Sequence, residues 1–164
     1  MITSQPEFIA RFSGIYEHSA WVAEEAAPFV ADSRDLDVIA TVMADCVDNA
    51  STEKQLELIR AHPDLAGKAQ VAGELTAEST SEQSSAGLDQ CSAEEYDRFQ
   101  ALNTAYHDKF EFPFVMAVRN SSRKEILEAF ASRLENVPDT EFEAALAEIH
   151  TIARLRLQAM EDEN

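Results

Sequence analysis

Phe110-Glu111-Phe112-Pro113-Phe114-Val115-Met116-Ala117-Val118 decides the fold class, because it is the one run rich in the aromatic and β-branched residues that fill strands. Pro113 stands in its middle. A proline offers no N–H to a sheet ladder, so a central strand is excluded and the run reads as a short, buried, extended connector over residues 110–118. Helices flank it on both sides. Upstream, Ser92-Ala93-Glu94-Glu95 is a capping box, and Tyr96, Phe99, Leu102, Asn103 and Tyr106 mark a helix that runs out near Lys109. Downstream, Ser122-Arg123-Lys124-Glu125 caps a helix with Ile126, Leu127, Phe130 and Leu134 inside, and Val137-Pro138 breaks it. Thr140-Glu141-Phe142-Glu143 then opens the last and longest helix.

The first half of the chain follows the same rule. Ser4-Gln5-Pro6-Glu7 combines a capping serine, a first-turn proline and a capping-box glutamate ahead of Phe8, Ile9, Phe12 and Ile15, with Gly14 interrupting. A second helix is expected from Tyr16 to Ala27, carrying Trp21 and ending at Pro28. Leu36, Ile39, Ala40, Met43 and Val47 form one helical stripe with Ser33 as its candidate cap, and Ser51 or Thr52 caps a short helix with Leu56 and Ile59 facing inward. With only 4 glycines and no repeat or low-complexity linker, the expectation is all-α: one domain over 1–164, a bundle of about eight helices with the connector near 110–118. A chain of this length buries roughly 70% of the surface its unfolded form exposes, enough for a core without staples.

Charge narrows the partners. Lys and Arg total 13 against 31 Asp and Glu, for a net charge of −18. Binding nucleic-acid phosphates needs clustered cations, so nucleic acid and anionic membranes are excluded as expected partners. An anionic substrate would meet a repulsive field, so a site for one needs a local cation. No window approaches the ~20 apolar residues of a membrane span, and no apolar run follows a basic start. The C-terminal residues carry no lipidation or peroxisomal tripeptide. Cys46 and Cys91 stand apart without a CxxC pattern, which fits reduced thiols acting as small core residues in a cytoplasmic protein.

The residues that helix building explains least lie in Ala61–Gly87, AHPDLAGKAQVAGELTAESTSEQSSAG. Pro63 pushes His62 out of the helical region, so the imidazole sits at a helix end. A polar loop follows at Ser79-Thr80-Ser81-Glu82-Gln83, where an imidazole, a carboxylate and an amide can converge. Plainer readings stand beside this: Ser79 and Glu82 fit a capping box, and His62-Pro63 fits a helix stop with an exposed ring. In the last helix, Phe142, Leu146, Ile149, Ala153 and Met160 form an apolar stripe with Arg156 in its middle, whereas Arg154 points elsewhere. A guanidinium there either pairs with a core glutamate or clamps an anion. His18, His62, His107 and His150 are too dispersed for a metal motif, and the chain has no GxSxG, GxxxxGK or GxGxxG.

Several short motifs in register carry a resemblance. His62-Pro63-Asp64-Leu65-Ala66-Gly67-Lys68, Leu75-Thr76 with Ser79 and Glu82-Gln83, Ala86-Gly87-Leu88, Asn103-Thr104-Ala105-Tyr106, Lys109-Phe110, Phe112-Pro113-Phe114 and Ile152-Ala153-Arg154-Leu155-Arg156-Leu157 span nearly the whole chain. Together they resemble the 2-oxo-4-hydroxy-4-carboxy-5-ureidoimidazoline (OHCU) decarboxylases of urate breakdown. The resemblance implies an all-helical carboxy-lyase that needs no cofactor or metal, releases CO₂ from OHCU to give (S)-allantoin, and is often found as a homodimer. It carries the family's catalytic pair onto His62 and Glu82 and its substrate contacts onto Pro63, Ser79, Gln83, Phe112, Phe114, Val115 and Arg156. In the roles expected from it, His62 handles the hydroxyl proton and Glu82 orients His62 or the ureido N–H groups. Ser79 and Gln83 fix the ring, and Arg156 holds the anion. One position departs from the family: Glu111 stands between two phenylalanines where glycine is usual, and a left-handed turn there disfavours glutamate.

Two other classes fit parts of the pattern. A helical hydrolase could turn the same His and Glu on a ureido or cyclic amide bond. An acidic helical interaction module would use His62 and Arg156 only for capping and packing.

Overall fold

The structure, a computed structural model, describes residues 4–67 and 73–162. Lys68 of the His62 motif lies outside them. Eight α-helices and one 3₁₀ turn are present among the described residues, with no strand. They are α1 (Gln5–Phe12), α2 (Trp21–Val30), α3 (Leu36–Asp48), α4 (Thr52–Arg60), α5 (Ala77–Ser85), the 3₁₀ turn Leu88–Gln90, α6 (Ala93–Phe110), α7 (Arg123–Leu134) and α8 (Pro138–Asp162). The all-α expectation holds.

The chain divides into two compact units. The first is Met1–Ala61 with Ile149–Asn164, and the second is His62–Glu148. In the first, α2 packs on both α1 and α3. Phe8, Val22, Ala26, Ile39, Met43, Val47, Leu58, Ile59 and Ile149 are fully covered there. In the second, Tyr106 of α6 is ringed by Phe110, Phe112, Phe114 and Phe130, with centroids 4.5 to 5.9 Å away. Phe114 and Phe130 stack 4.0 Å apart at 9°. Offset and edge-on aromatic pairs of this kind add about 0.5–1.5 kcal/mol each beyond area burial.

The predicted caps at Ser4, Ser51, Ser92 and Ser122 are all in place, each accepting from a backbone N–H three residues on. Other boundaries moved. Residues 13–20 are turns, and Pro28 lies inside α2 rather than ending it. Pro28 deprives the Glu24 carbonyl of its helical donor, and both residues are exposed, so water can replace that bond. The cap of α3 is Asp35, whose carboxylate takes the Asp37 N–H at 2.9 Å; Ser33 bonds the Asp35 N–H instead. The cluster read as a polar loop over residues 79–83 is helical, because Thr76 caps α5 by accepting from the Ser79 N–H at 3.2 Å. The last helix begins at Pro138, which suits a first-turn proline.

The connector is as expected: residues 113–118 have no regular structure, and Phe112, Phe114, Val115 and Val118 are buried. Glu111 adopts the left-handed conformation at φ 62°, ψ 24° and caps the C-terminus of α6. The glutamate therefore keeps the turn that glycine would make, against a steric penalty. Replacing Glu111 with glycine is expected to stabilise the fold by about 1 kcal/mol, read as a Tm rise of roughly 2–4 °C. A fall in Tm would show that the Glu111 side chain contributes more than its backbone strain removes.

Candidate active site

His62 is the first residue beyond Ala61, the C-cap of α4, and only 8% of it is exposed. The chain then makes a tight turn through residues 64–67. Ala66 is left-handed at φ 50°, a conformation that costs an alanine about 1–2 kcal/mol. A Cβ on Gly67 would lie 2.8 Å from the Asp64 Cβ, so only glycine fits there. A strained turn of this kind persists when its surroundings over-determine it.

Three amide side chains do so. Gln83 Oε1 accepts the Ala66 N–H at 3.0 Å, and its Nε2 donates to the Asp64 carbonyl at 3.2 Å. Asn103 donates to the Leu65 carbonyl at 3.1 Å, and Gln100 to the Ala66 carbonyl at 2.7 Å. His107 Nε2 lies 2.7 Å from Asp64 Oδ1. The segment that carries His62 is thus fastened to α5 through Gln83 and to α6 through Gln100, Asn103 and His107. A cleft of about 400 Å³ opens beside this turn, lined by Asp64, Gly67, Gln100, Asn103, Thr104, His107 and Asp108.

Ser79, Glu82 and Gln83 occupy one face of α5, since positions i, i+3 and i+4 lie within about 100° of arc. Ser79 and Gln83 are buried and Glu82 is half-buried, as is Pro63. The Gln83 amide spends one donor and one acceptor on the turn's backbone. Truncating it to alanine would leave the Ala66 N–H buried without its acceptor, so Gln83→Ala is expected to destabilise by about 1–3 kcal/mol. Amide hydrogen exchange should show the loss concentrated at residues 64–66. Unchanged exchange there would refute the fastening role.

Phe112, Phe114 and Val115 lie buried in the connector, with the Val115 carbonyl accepting from Arg133 Nη1 at 2.6 Å. In the first unit, Arg156 is 5% exposed on the apolar stripe of α8, as its spacing requires. Its Nη1 donates to the Gly14 carbonyl at 3.2 Å and its Nη2 to Glu17 Oε2 at 3.3 Å, so a buried glutamate is one of its partners. Arg154 is exposed. Beside that pair, the Tyr16 hydroxyl meets His150 Nδ1 at 2.8 Å, and burial, reinforced by Asp48, pushes the phenol pKa upward.

Sequence reasoning placed Gln83 at the site as a substrate contact but assigned none of Gln83, Gln100, Asn103 and His107 to holding the turn. Asn103 sits on the stripe Phe99, Tyr106, Phe110 of α6, buried at 4% exposure. A polar residue on an apolar stripe is the same signal that marked Arg156. Glu141 was read only as part of the last helix's start and Arg133 was not singled out; they form an ion pair at 2.8 Å in which the glutamate is fully buried and the arginine half-buried. Among the described residues, no three His, Cys, Asp or Glu side chains group as metal ligands, and no helix is long and apolar enough to cross a membrane.

Comparison with known proteins adds a family. The OHCU decarboxylase family profile matches residues 3–158. The chain is 46% identical over 153 residues to the 2-oxo-4-hydroxy-4-carboxy-5-ureidoimidazoline decarboxylase of Haloferax volcanii, covering 92% of this chain and 86% of that one. It is 42% identical over 156 residues to the protein of the same name from Halalkalicoccus jeotgali, covering 93% and 84%. Among solved structures, an (S)-allantoin synthase superposes with a TM-score of 0.77 at 33% identity, over 96% of this chain and 50% of that chain.

Proposed function

The chain belongs to the OHCU decarboxylase family, and on that premise we propose that it is a carboxy-lyase converting OHCU to (S)-allantoin and CO₂ in urate degradation. The observation that carries this reading is the near full-length match to proteins of that name, which runs through the His62 segment and the connector alike.

The substrate's own chemistry sets the task. When the bond from the hydroxyl-bearing ring carbon to its carboxylate breaks, the electron pair stays on that carbon and is taken up by the adjacent C=N. The carbon–carbon bond becomes double and the ring nitrogen takes a proton, giving an enol. Transfer of the hydroxyl proton away and delivery of a proton to one face of the neighbouring carbon then give one enantiomer of allantoin. The substrate supplies the electron sink, so the protein has to orient the carboxylate and move protons.

An imidazole with an ordinary pKa of ~6.5 serves as base and acid near neutral pH. His62 takes the hydroxyl proton, and Glu82 orients His62 or the ureido N–H groups. Ser79, Gln83 and Pro63 hold the ring. The buried backbone around Phe112, Phe114 and Val115 offers amides to the ring heteroatoms. Arg156 holds the anion, with Glu17 fixing the guanidinium's orientation. In a chain of charge −18, a buried arginine is the kind of local cation an anionic substrate requires. The test is to generate OHCU from urate in situ and follow circular dichroism. An accelerated signal of (S)-allantoin over the racemic background supports the reading, and racemic product at the background rate overturns it.

A further inference from the structure

Resting on the assignment of residues 112–115 to substrate contact, we infer that Arg133 is a positioning residue for the reaction, anchoring the connector's backbone at the Val115 carbonyl. A segment without regular structure has no ladder to set its path, so side chains must set it. Because each peptide unit is planar, turning the Val115 carbonyl to Arg133 directs the Met116 N–H the opposite way. That anchor therefore orients an amide of the segment that meets the ring heteroatoms.

Arg133 is itself immobilised. Its Nε and Nη2 reach both oxygens of Glu141 at 2.8 to 3.1 Å, and its guanidinium carbon stands 4.5 Å from the Phe114 ring centroid. Glu141 is fully buried and also accepts from the Tyr106 hydroxyl at 2.6 Å and Asn136 Nδ2 at 2.9 Å. One planar fork thus pairs with a carboxylate, covers an aromatic face and holds a carbonyl, three tasks that a lysine ammonium cannot perform at once.

Arg133→Lys keeps a positive charge for Glu141 while giving up the Val115 carbonyl, and Arg133→Gln gives up the charge as well. Both are expected to raise KM for OHCU about tenfold or more, with faster amide exchange confined to residues 114–117. A merely structural role would instead lower the active fraction, reducing kcat with KM unchanged, and that result overturns the inference. If one of the two variants fails to fold, KM and amide exchange at residues 114–117 in the other decide. Wild-type protein inert toward OHCU overturns the proposed function and this inference together, whereas active wild type with unmoved KM in the variants overturns this inference alone.

Discussion

His62→Asn is expected to lower turnover of OHCU by about a hundred- to ten-thousandfold while leaving Tm and the far-ultraviolet circular dichroism unchanged. Asparagine keeps a polar side chain of similar reach and gives up the titratable ring, so the comparison isolates proton transfer. The fold should tolerate it because the turn beyond His62 is held by Gln83, Gln100 and Asn103 through backbone atoms of residues 64–66, none belonging to His62. Turnover within a few-fold of wild type would remove His62 from the chemistry. An equal loss of stability and activity would assign it to packing.

Glu141→Ala is expected to be the most destabilising single change considered, by about 3–5 kcal/mol, with a Tm fall of roughly 10 °C or more. It would strand the Arg133 guanidinium, the Tyr106 hydroxyl and Asn136 Nδ2 around a fully buried gap. The same carboxylate gives stability a pH dependence. Burial pushes its pKa up, but the bonds from Arg133, Tyr106 and Asn136 outweigh this and hold it below the usual carboxylate range. A pKa lowered on folding contributes stability that is present above the unfolded value near ~4.3 and is lost as pH falls through the folded value. Denaturant titrations from pH 7 downward should therefore show the advantage of wild type over Glu141→Gln shrinking with acid. An advantage that grows with acid would reverse the assigned shift.

Helix starts were legible because capping is local: Ser4, Ser51, Ser92 and Ser122 each needed only their next three residues. The connector was legible because Pro113 decides its own backbone. What failed was decided at a distance. The 79–83 cluster read as a loop since it lacks an apolar stripe; α5 instead buries Ser79 and Gln83, and Gln83 is turned toward backbone seventeen residues earlier in the chain. Pro28 read as a stop, yet a proline on the exposed side of a last turn leaves only a solvated carbonyl behind. Arg156 stood out on its stripe, but its partner Glu17 lies in a stretch of turns where no periodicity exists to reveal burial. The candidate site shows the same division. His62 and the face of α5 announced themselves by residue type, whereas the hydrogen bonds fixing the 64–67 turn join elements that sequence spacing does not relate.

The most direct test of the central claim is the fate of the substrate's carboxylate carbon. OHCU labelled at that carbon, presented to the protein and to His62→Asn, should release its label as CO₂ at the wild-type-accelerated rate, one per allantoin formed, with His62→Asn at the background rate. Label retained in a ring-opened product would contradict the decarboxylase account and place the protein among hydrolases of the same substrate class.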